Sequence, residues 1–136
     1  MRDEIQAFKY KLRGYNFLCY EITTLENSLE FCYDRLGGVR GIDPSKEPTH
    51  AMPNKELEYK LRDDIERYEA KLKLKISEKV EIDQTLDRME TSLREAVFRV
   101  YAKGENCLKV SGDYYLSPSG LKKRMNKAIS GALHEI

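Results

Sequence analysis

The most informative segment of this chain is Ser117-Pro118-Ser119-Gly120-Leu121-Lys122-Lys123-Arg124-Met125-Asn126-Lys127-Ala128-Ile129. It opens with a serine and a proline, the residue types preferred at the N-cap and the first position of a helix. Leu121, Met125 and Ile129 follow at intervals of four, so they fall on one apolar face. The other faces carry polar side chains and no acidic residue: Lys122, Lys123, Arg124, Asn126 and Lys127. A helix with a buried stripe and a cationic outer face fits the DNA major groove.

Residues 92–132, which contain this stretch, predict a helix, a short helix, a tight turn and a second, basic helix. This is the outline of a helix-turn-helix. The short supporting helix contains Gly112, which costs about 1 kcal/mol relative to alanine. An alternative therefore stays open for residues 105–116, in which Leu108-Lys109-Val110 and Tyr114-Tyr115-Leu116 form a hairpin around Ser111-Gly112-Asp113.

Aligned without gaps, the segment from Leu93 to Ile129 resembles the region-4 helix-turn-helix of the sigma-70 class. The resemblance is greatest to small phage-encoded regulators of the late-gene activator type, which carry a long helical hairpin before that domain. Tyr101 and Gly104 match the end of the family's first helix, and Val110 and Ser111 match its hydrophobic-then-small pair. Leu116-Ser117 matches the turn into the recognition helix. Tyr115 departs from the family, which usually has there a turn glycine able to take positive φ.

The resemblance implies that Ser119, Gly120, Lys123 and Arg124 contact DNA, because they fall where the family does so. The residue types extend this set. Hydroxyl and backbone N–H groups at a helix start suit phosphate, which predicts phosphate contacts for Ser117 and Ser119. Base edges are predicted for Lys123, Arg124 and Asn126. Lys122 and Lys127 are predicted to contact the DNA backbone.

Charge is distributed unevenly along the chain. Residues 1–93 carry 16 basic and 19 acidic side chains, whereas residues 94–136 carry 8 basic and 4 acidic ones. The overall formal charge of +1 therefore hides an acidic N-terminal part and a basic C-terminal part. Nucleic-acid binding predicts this asymmetry, with the basic end as the binding end.

Residues 1–93 predict two long helices. Apolar residues alternate at three and four spacing from Asp3 to Leu36, where Gly37-Gly38 is predicted to end the first helix. Residues 37–53 form a predicted flexible connection, and Asn54 a predicted N-cap for a second helix with a single apolar stripe through Leu93. The predicted fold is all-α: an antiparallel coiled-coil hairpin over residues 1–93, followed by a small helix-turn-helix domain over residues 94–136.

The first long helix carries more apolar surface than one partner helix can cover. The additional apolar and small positions, predicted as a partner or dimer interface, are Tyr10, Gly14, Phe17, Leu18, Leu25 and Phe31. Either the C-terminal domain folds back onto this surface or a second copy of the chain packs there. The homodimer is favoured, because DNA readers commonly use twofold symmetry.

Enzymes, metal-binding proteins, membrane proteins and secreted proteins are classes to which this chain is not expected to belong. His50 and His134 are isolated and Cys19, Cys32 and Cys107 form no ligand-spaced cluster, so no metal, cofactor, small-molecule substrate or catalytic residue is predicted. No apolar run approaches membrane-spanning length, and Met1-Arg2-Asp3-Glu4 does not start a signal peptide. The expected location is the cytoplasm, that of the host cell if the protein is phage-encoded.

The sequence therefore predicts a non-enzymatic, sequence-specific DNA-binding phage transcriptional regulator that binds double-stranded DNA as a homodimer. Host RNA polymerase is a further candidate partner. Two alternatives remain open. The chain could be an inhibitor or adaptor that binds a host protein, RNA polymerase or a nuclease, without reading DNA. It could also be a small DNA-packaging subunit, which joins a helix-turn-helix to an oligomerising hairpin and forms a ring.

Overall fold

Helices account for all the regular structure of the described chain. The computed structural model describes residues 2–40 and 55–134. Within these residues there is no strand, so the prediction of an all-helical protein is confirmed. The elements are α1 (Arg2–Arg13), α2 (Tyr15–Arg40), α3 (Lys55–Asp87), α4 (Thr91–Val97), a π-helical turn (Phe98–Ala102), α5 (Cys107–Asp113) and α6 (Pro118–His134). None of the described helices is long and apolar enough to cross a bilayer.

Packing divides the chain into two compact units. One comprises Tyr20–Ile76, and the other combines Met1–Cys19 with Ser77–Ile136. We call them the helical-pair unit and the basic unit. The boundary between the two units falls within α2 and within α3, whereas the domain boundary predicted from the sequence lies between residues 93 and 94. Residues 94–136 thus share a compact unit with α1 and the end of α3.

In the helical-pair unit, α2 packs against α3 in the opposite direction. Glu21 and Lys75 form an ion pair of 3.6 Å, and further along the pair the Tyr33 hydroxyl donates a hydrogen bond to the Glu69 carboxylate. The buried core is formed by Leu29, Cys32, Leu36, Leu61 and Ile65, with Leu57, Tyr68 and Leu72 packed around it. Because each large apolar side chain contributes about 1.5–3 kcal/mol when fully buried, this core is the main stabilising feature of the pair.

The ends of the long helices differ from the prediction. Gly14 interrupts the first helix as a turn residue, so α1 and α2 are separate elements. Gly37 and Gly38 do not end α2, which continues to Arg40, because neither adopts the positive φ that a glycine takes after a helix end. The second long helix ends at Asp87 rather than continuing through Leu93. The predicted connection beyond residue 40 and the predicted N-cap Asn54 lie outside the described residues.

In the basic unit, α6 lies at the centre of the core. It packs against α1, α4 and α5, and the π-helical turn packs against α1. The largest side chains with less than 2% exposure come from α1, α4, α5 and α6 and are Leu12, Val97, Val110, Ser111, Leu121, Met125 and Ile129. The buried side of α1 therefore packs against the C-terminal part of the same chain. Tyr10 on the same helix is 76% exposed, so the predicted homodimer stays a prediction.

Polar contacts attach α2 and α3 residues to the same unit. The Tyr15 hydroxyl donates a 2.8 Å hydrogen bond to Asp83, and the Tyr15 ring packs edge-on against Phe98 with centroids 5.4 Å apart. Burial, followed by the bond to Asp83, raises the pKa of Tyr15 to about 12. The Asn16 side chain also donates to the Ala102 carbonyl at 3.2 Å. These contacts hold the start of α2 against the π-helical turn.

The chain leaves α4 through the π-helical turn and then reverses. The Lys103 N–H bonds to the Phe98 carbonyl at 3.0 Å, which closes the wide turn, and Gly104 then takes φ +70°. Arg99 in this turn donates to Glu105 at 2.9 and 3.2 Å and to Asp113 at 2.8 Å. The two carboxylates raise the pKa of the guanidinium and tie the turn to the end of α5.

Candidate nucleic-acid interface

The segment before the basic helix is the short helix α5, not a hairpin. Asn106 is its N-cap, and its side chain accepts a hydrogen bond from the Leu108 N–H at 3.0 Å. The Ser111 hydroxyl donates to the Leu108 carbonyl at 2.8 Å, and Val110 and Ser111 are buried. The alternative of two strands around Ser111-Gly112-Asp113 is therefore wrong. The cap and the buried pair outweigh the helix cost of Gly112, which is about 1 kcal/mol.

The turn between α5 and α6 has a geometry that usually requires glycine, but Tyr115 occupies the glycine position. The Leu116 N–H bonds to the Ser111 carbonyl at 2.9 Å and the Tyr115 N–H to the Gly112 carbonyl at 3.2 Å. These are the two bonds of a Schellman motif, whose C′ residue adopts a left-handed conformation. Tyr115 accordingly has φ +55°, the only positive φ of a non-glycine residue in the described chain. It stands at the position where the family resemblance places a turn glycine.

The start of α6 is capped by the predicted serine. The Ser117 hydroxyl accepts a 3.1 Å hydrogen bond from the Gly120 N–H, and the Ser117 carbonyl accepts from Leu121 at 2.9 Å. Pro118 occupies the first helical position. A Cβ on residue 120 would lie 3.0 Å from the Ser117 hydroxyl oxygen, so glycine leaves room for the cap. The Ser119 hydroxyl lies 3.4 Å from that of Ser117, so both hydroxyls gather at the positive end of the helix dipole.

The two faces of α6 differ as the sequence predicts. Leu121, Met125, Ile129 and Ala132 are buried, and each is at most 2% exposed. On the solvent side, four cations are exposed: Lys122, Lys123, Arg124 and Lys127. No acidic residue occurs in α6, and among the described residues no carboxylate forms an ion pair with any of the four. We call these four side chains the cationic face.

Asn126 is placed differently from the other predicted DNA-contacting residues. Its side chain is half-buried, and its Oδ1 atom is the one buried side-chain nitrogen or oxygen in the described chain without a hydrogen-bond partner. A base-reading role would require this carboxamide to be accessible. The structure therefore does not bring Asn126 together with the cationic face.

The far end of α6 is held by an arginine from the connection after α3. Arg88 donates from Nη1 to the Ala132 carbonyl at 3.2 Å, which satisfies a carbonyl in the last turn of α6. A groove of about 690 Å³ lies beside this contact and is lined by residues that include Leu93, Arg124, Lys127 and Ala128. Arg124 and Lys127 thus border the α4 side of α6.

The opposite side of α6 adjoins a second group of cations that sequence reasoning missed. Lys9 of α1 is only 7% exposed, and its Nζ atom lies 4.9 Å from the centroid of the Tyr101 ring. Burial first, then the charges of Arg13 and Lys122, lower the pKa of Lys9. Lys9 and Arg13 are four residues apart on α1, and this spacing was the available sequence signal.

The predicted partner interface is only partly accessible. Tyr10, Phe17 and Phe31 are 76%, 65% and 60% exposed. Leu18, in contrast, is 7% exposed and belongs to the protein's own core, and Leu25 is half-buried. The inclusion of Leu18 is therefore corrected, because its side chain already packs within its own chain.

Gly14 was predicted to allow close approach of another backbone. It is exposed, and a Cβ there would lie 3.7 Å from the Lys11 carbonyl oxygen, an ordinary contact distance. Four of the six predicted interface positions belong to the basic unit and two, Leu25 and Phe31, to the helical-pair unit. The exposed aromatic side chains remain the accessible part of this prediction.

Comparison with family models, curated proteins and solved structures finds no match to this chain. The functional interpretation therefore depends on the geometry of α5, the turn and α6, and on the charges around them.

Proposed function

We propose that this protein is a sequence-specific DNA-binding transcriptional regulator. In this proposal α5, the turn at Tyr115 and α6 form a helix-turn-helix, and α6 is the recognition helix. The observation that carries the proposal is the cationic face, which is exposed on a helix whose opposite side is fully buried. A recognition helix needs both properties, because the buried stripe fixes its orientation while the outer face enters the groove.

The residues of α6 are assigned different roles by their place on the helix. Ser117, Ser119 and Gly120 lie at the helix start, where hydroxyl and N–H groups suit backbone phosphates. Lys123 and Arg124 are the candidates for base edges, with arginine matched to guanine. Lys122 and Lys127 are assigned to the phosphates on the two sides of the groove. Asn126 is given no DNA contact, because its side chain is half-buried and its Oδ1 atom is buried.

The rest of the proposal concerns the type of regulator and its assembly. The resemblance to sigma region 4 supports a phage-type regulator that acts in the host cytoplasm. The exposed aromatic side chains Tyr10, Phe17 and Phe31 support contact with another protein, either a second copy of the chain or host RNA polymerase. In this view α2 and α3 form the coiled-coil hairpin used for assembly.

The test is selection of bound sequences from a pool of random duplex DNA. The intact protein, the Lys123→Ala/Arg124→Ala variant and a control, Lys71→Ala/Lys73→Ala, are compared at several salt concentrations. The control removes the same charge from exposed positions of α3 in the helical-pair unit. We expect the wild type and the control to enrich the same short sequence and the α6 variant to enrich none. Absence of duplex binding by the wild type at low salt would refute the proposal.

The exposed aromatics also favour a second candidate, an inhibitor or adaptor that binds a host protein and never reads DNA. The two candidates differ in what Lys123→Ala/Arg124→Ala does. An adaptor keeps its biological effect in that variant, whereas a DNA-binding regulator loses it. For an adaptor, alanine substitutions at Phe17 and Phe31 should instead abolish the biological effect.

A further inference from the structure

Cations from two helices meet beside the cationic face. Lys9 and Arg13 lie one helical turn apart on α1, and Lys122 lies on α6, close enough for its charge to act on Lys9. Both helices are in the basic unit, where α1 packs directly against α6 and the π-helical turn. Among the described residues, no carboxylate forms an ion pair with any of these three side chains. We call them the α1–α6 cluster.

The burial of Lys9 makes this cluster unusual. Lysine is almost never buried without an anionic partner, because desolvation of the ammonium group is costly. At 7% exposure Lys9 has the face of the Tyr101 ring as its favourable electrostatic contact, 4.9 Å from Nζ to the ring centroid. A cation–π contact offsets part of that cost, while the charges of Arg13 and Lys122 add repulsion. An anion placed among the three cations would replace repulsion by attraction.

We propose that Lys9, Arg13 and Lys122 bind a backbone phosphate of duplex DNA, so that α1 contacts DNA together with α6. This inference rests on the proposed function. Lys122 adjoins Lys123 on the exposed side of α6, and it shares a side of that helix with Leu133, which borders Ala7 and Phe8 of α1. When a recognition helix lies in the major groove, the phosphates of the two strands lie along its flanks. The α1–α6 cluster is positioned on one flank, opposite the side that Arg124 and Lys127 share with α4.

The test compares two single substitutions in α1 at the duplex selected by the wild type. Arg13→Gln removes an exposed cation of the cluster, and Lys11→Gln removes an exposed cation of the same helix that pairs with Glu81 at 3.6 Å. Affinity is measured across a range of salt concentrations. We expect Arg13→Gln to lower the slope of log affinity against log salt by about 0.9, the value for one phosphate contact in B-DNA. Lys11→Gln should leave the slope unchanged.

Lys9→Gln supplies a second variant, with urea unfolding as a check that the protein remains folded. It should lower the slope as Arg13→Gln does and weaken binding to all duplex sequences alike, because a phosphate contact carries no base information. Preserved discrimination between the selected and a scrambled duplex is therefore part of the expected result.

Two results would overturn the α1–α6 cluster as a DNA site while leaving the proposed function intact. One is an unchanged slope for both Arg13→Gln and Lys9→Gln while Lys123→Ala/Arg124→Ala abolishes selection. The other is saturable binding of inorganic phosphate that Arg13→Gln removes, together with an unchanged DNA slope, which would assign the cluster to a free anion. If the wild type binds no duplex at all, both proposals fail.

Discussion

The charged residues of the helical-pair unit and those of α6 are arranged in opposite ways. In the helical-pair unit, cations lie next to acids and pair with them, as Arg62 does with Glu58 at 2.9 Å and Arg67 with Asp64 at 2.7 Å. On α6 the four exposed cations have only each other as close charged neighbours along the helix. Paired charges make a neutral, solvated surface, whereas an unpaired row of cations costs stability unless an anionic partner binds. This difference is the reason for assigning the proposed DNA contact to α6 rather than to α3.

The core beneath α6 should carry the largest effect on stability. Met125→Ala removes a fully buried side chain from the helix that α1, α4 and α5 all contact. We expect a loss of about 2–5 kcal/mol in the free energy of unfolding, as is typical for a buried methionine in a packed core. Urea unfolding followed by circular dichroism measures it. Loss of less than 1 kcal/mol would mean that the α6 stripe is not the centre of the basic unit.

The matched substitution in the other region is Leu61→Ala, which removes a side chain from the core of the helical pair. Leu61→Ala should destabilise the helical-pair unit. Its affinity for DNA should stay unchanged at salt concentrations and temperatures at which the basic unit remains folded. Equal loss of DNA binding in both variants would contradict the separate roles given to the two regions.

The N-cap of α6 should have the next largest effect. Ser117→Ala removes the hydroxyl that accepts the Gly120 N–H, at a cost of about 1 kcal/mol in unfolding free energy. Ser117→Asp restores an acceptor and serves as the matched variant. A stability loss that Ser117→Asp does not recover would show that the hydroxyl acts in some way other than capping.

Tyr115→Gly should change stability in the favourable direction. Tyr115 is 96% exposed, so removal of its ring sacrifices little packing, and glycine adopts φ +55° without the strain of a Cβ. We expect the free energy of unfolding to rise by about 0.5–1 kcal/mol. Glycine removes the left-handed strain of about 1–2 kcal/mol, and its greater unfolded-state entropy cancels part of that gain. Tyr115→Ala, which keeps a Cβ, should give no such gain. A loss of stability with glycine would contradict the Schellman geometry of the turn.

The smallest expected effects on stability test the contrast between the unpaired cations of α6 and the paired charges of the helical-pair unit. Lys127→Gln removes the repulsion between Lys123 and Lys127, which are four residues apart on α6, and should raise stability by about 0.2–0.5 kcal/mol at low salt. Arg67→Gln breaks an ion pair of the other unit and should lower stability by a similar amount. Both effects should shrink at high salt. Thermal unfolding at two salt concentrations distinguishes them, and the same sign for both variants would refute the contrast.

Much of the basic helix could be predicted from the sequence because its signals are local. Ser117 and Pro118 mark the start, and the spacing of Leu121, Met125 and Ile129 marks the buried face, so helix, cap and cationic face follow from neighbouring residues. The long helices were also predicted, but their ends were less certain. Gly37 and Gly38 can end a helix or remain inside one, and the choice depends on φ, which composition does not determine.

The parts that could not be predicted depend on contacts between distant residues. Leu18 and Phe17 were both predicted to lie in the partner interface, yet only Leu18 is buried, because the start of α2 packs in the basic unit. The meeting of Lys9 with Tyr101 and Lys122 joins residues about 90 and 110 positions apart along the chain. The spacing of Lys9 and Arg13 is visible in the sequence, but their approach to α6 is not. Burial of Asn126 is likewise set by the helices around α6.

DNA binding through α6 can be tested by measuring the salt dependence of duplex DNA affinity for two charge-matched variants. Lys122→Gln/Lys127→Gln removes two cations from α6, and Lys71→Gln/Lys73→Gln removes two from α3. We predict that the first lowers the slope of log affinity against log salt by about 1.8, from two phosphate contacts at about 0.9 each, and that the second leaves it unchanged. Equal slopes for both variants, or no duplex binding by the wild type, would contradict the account.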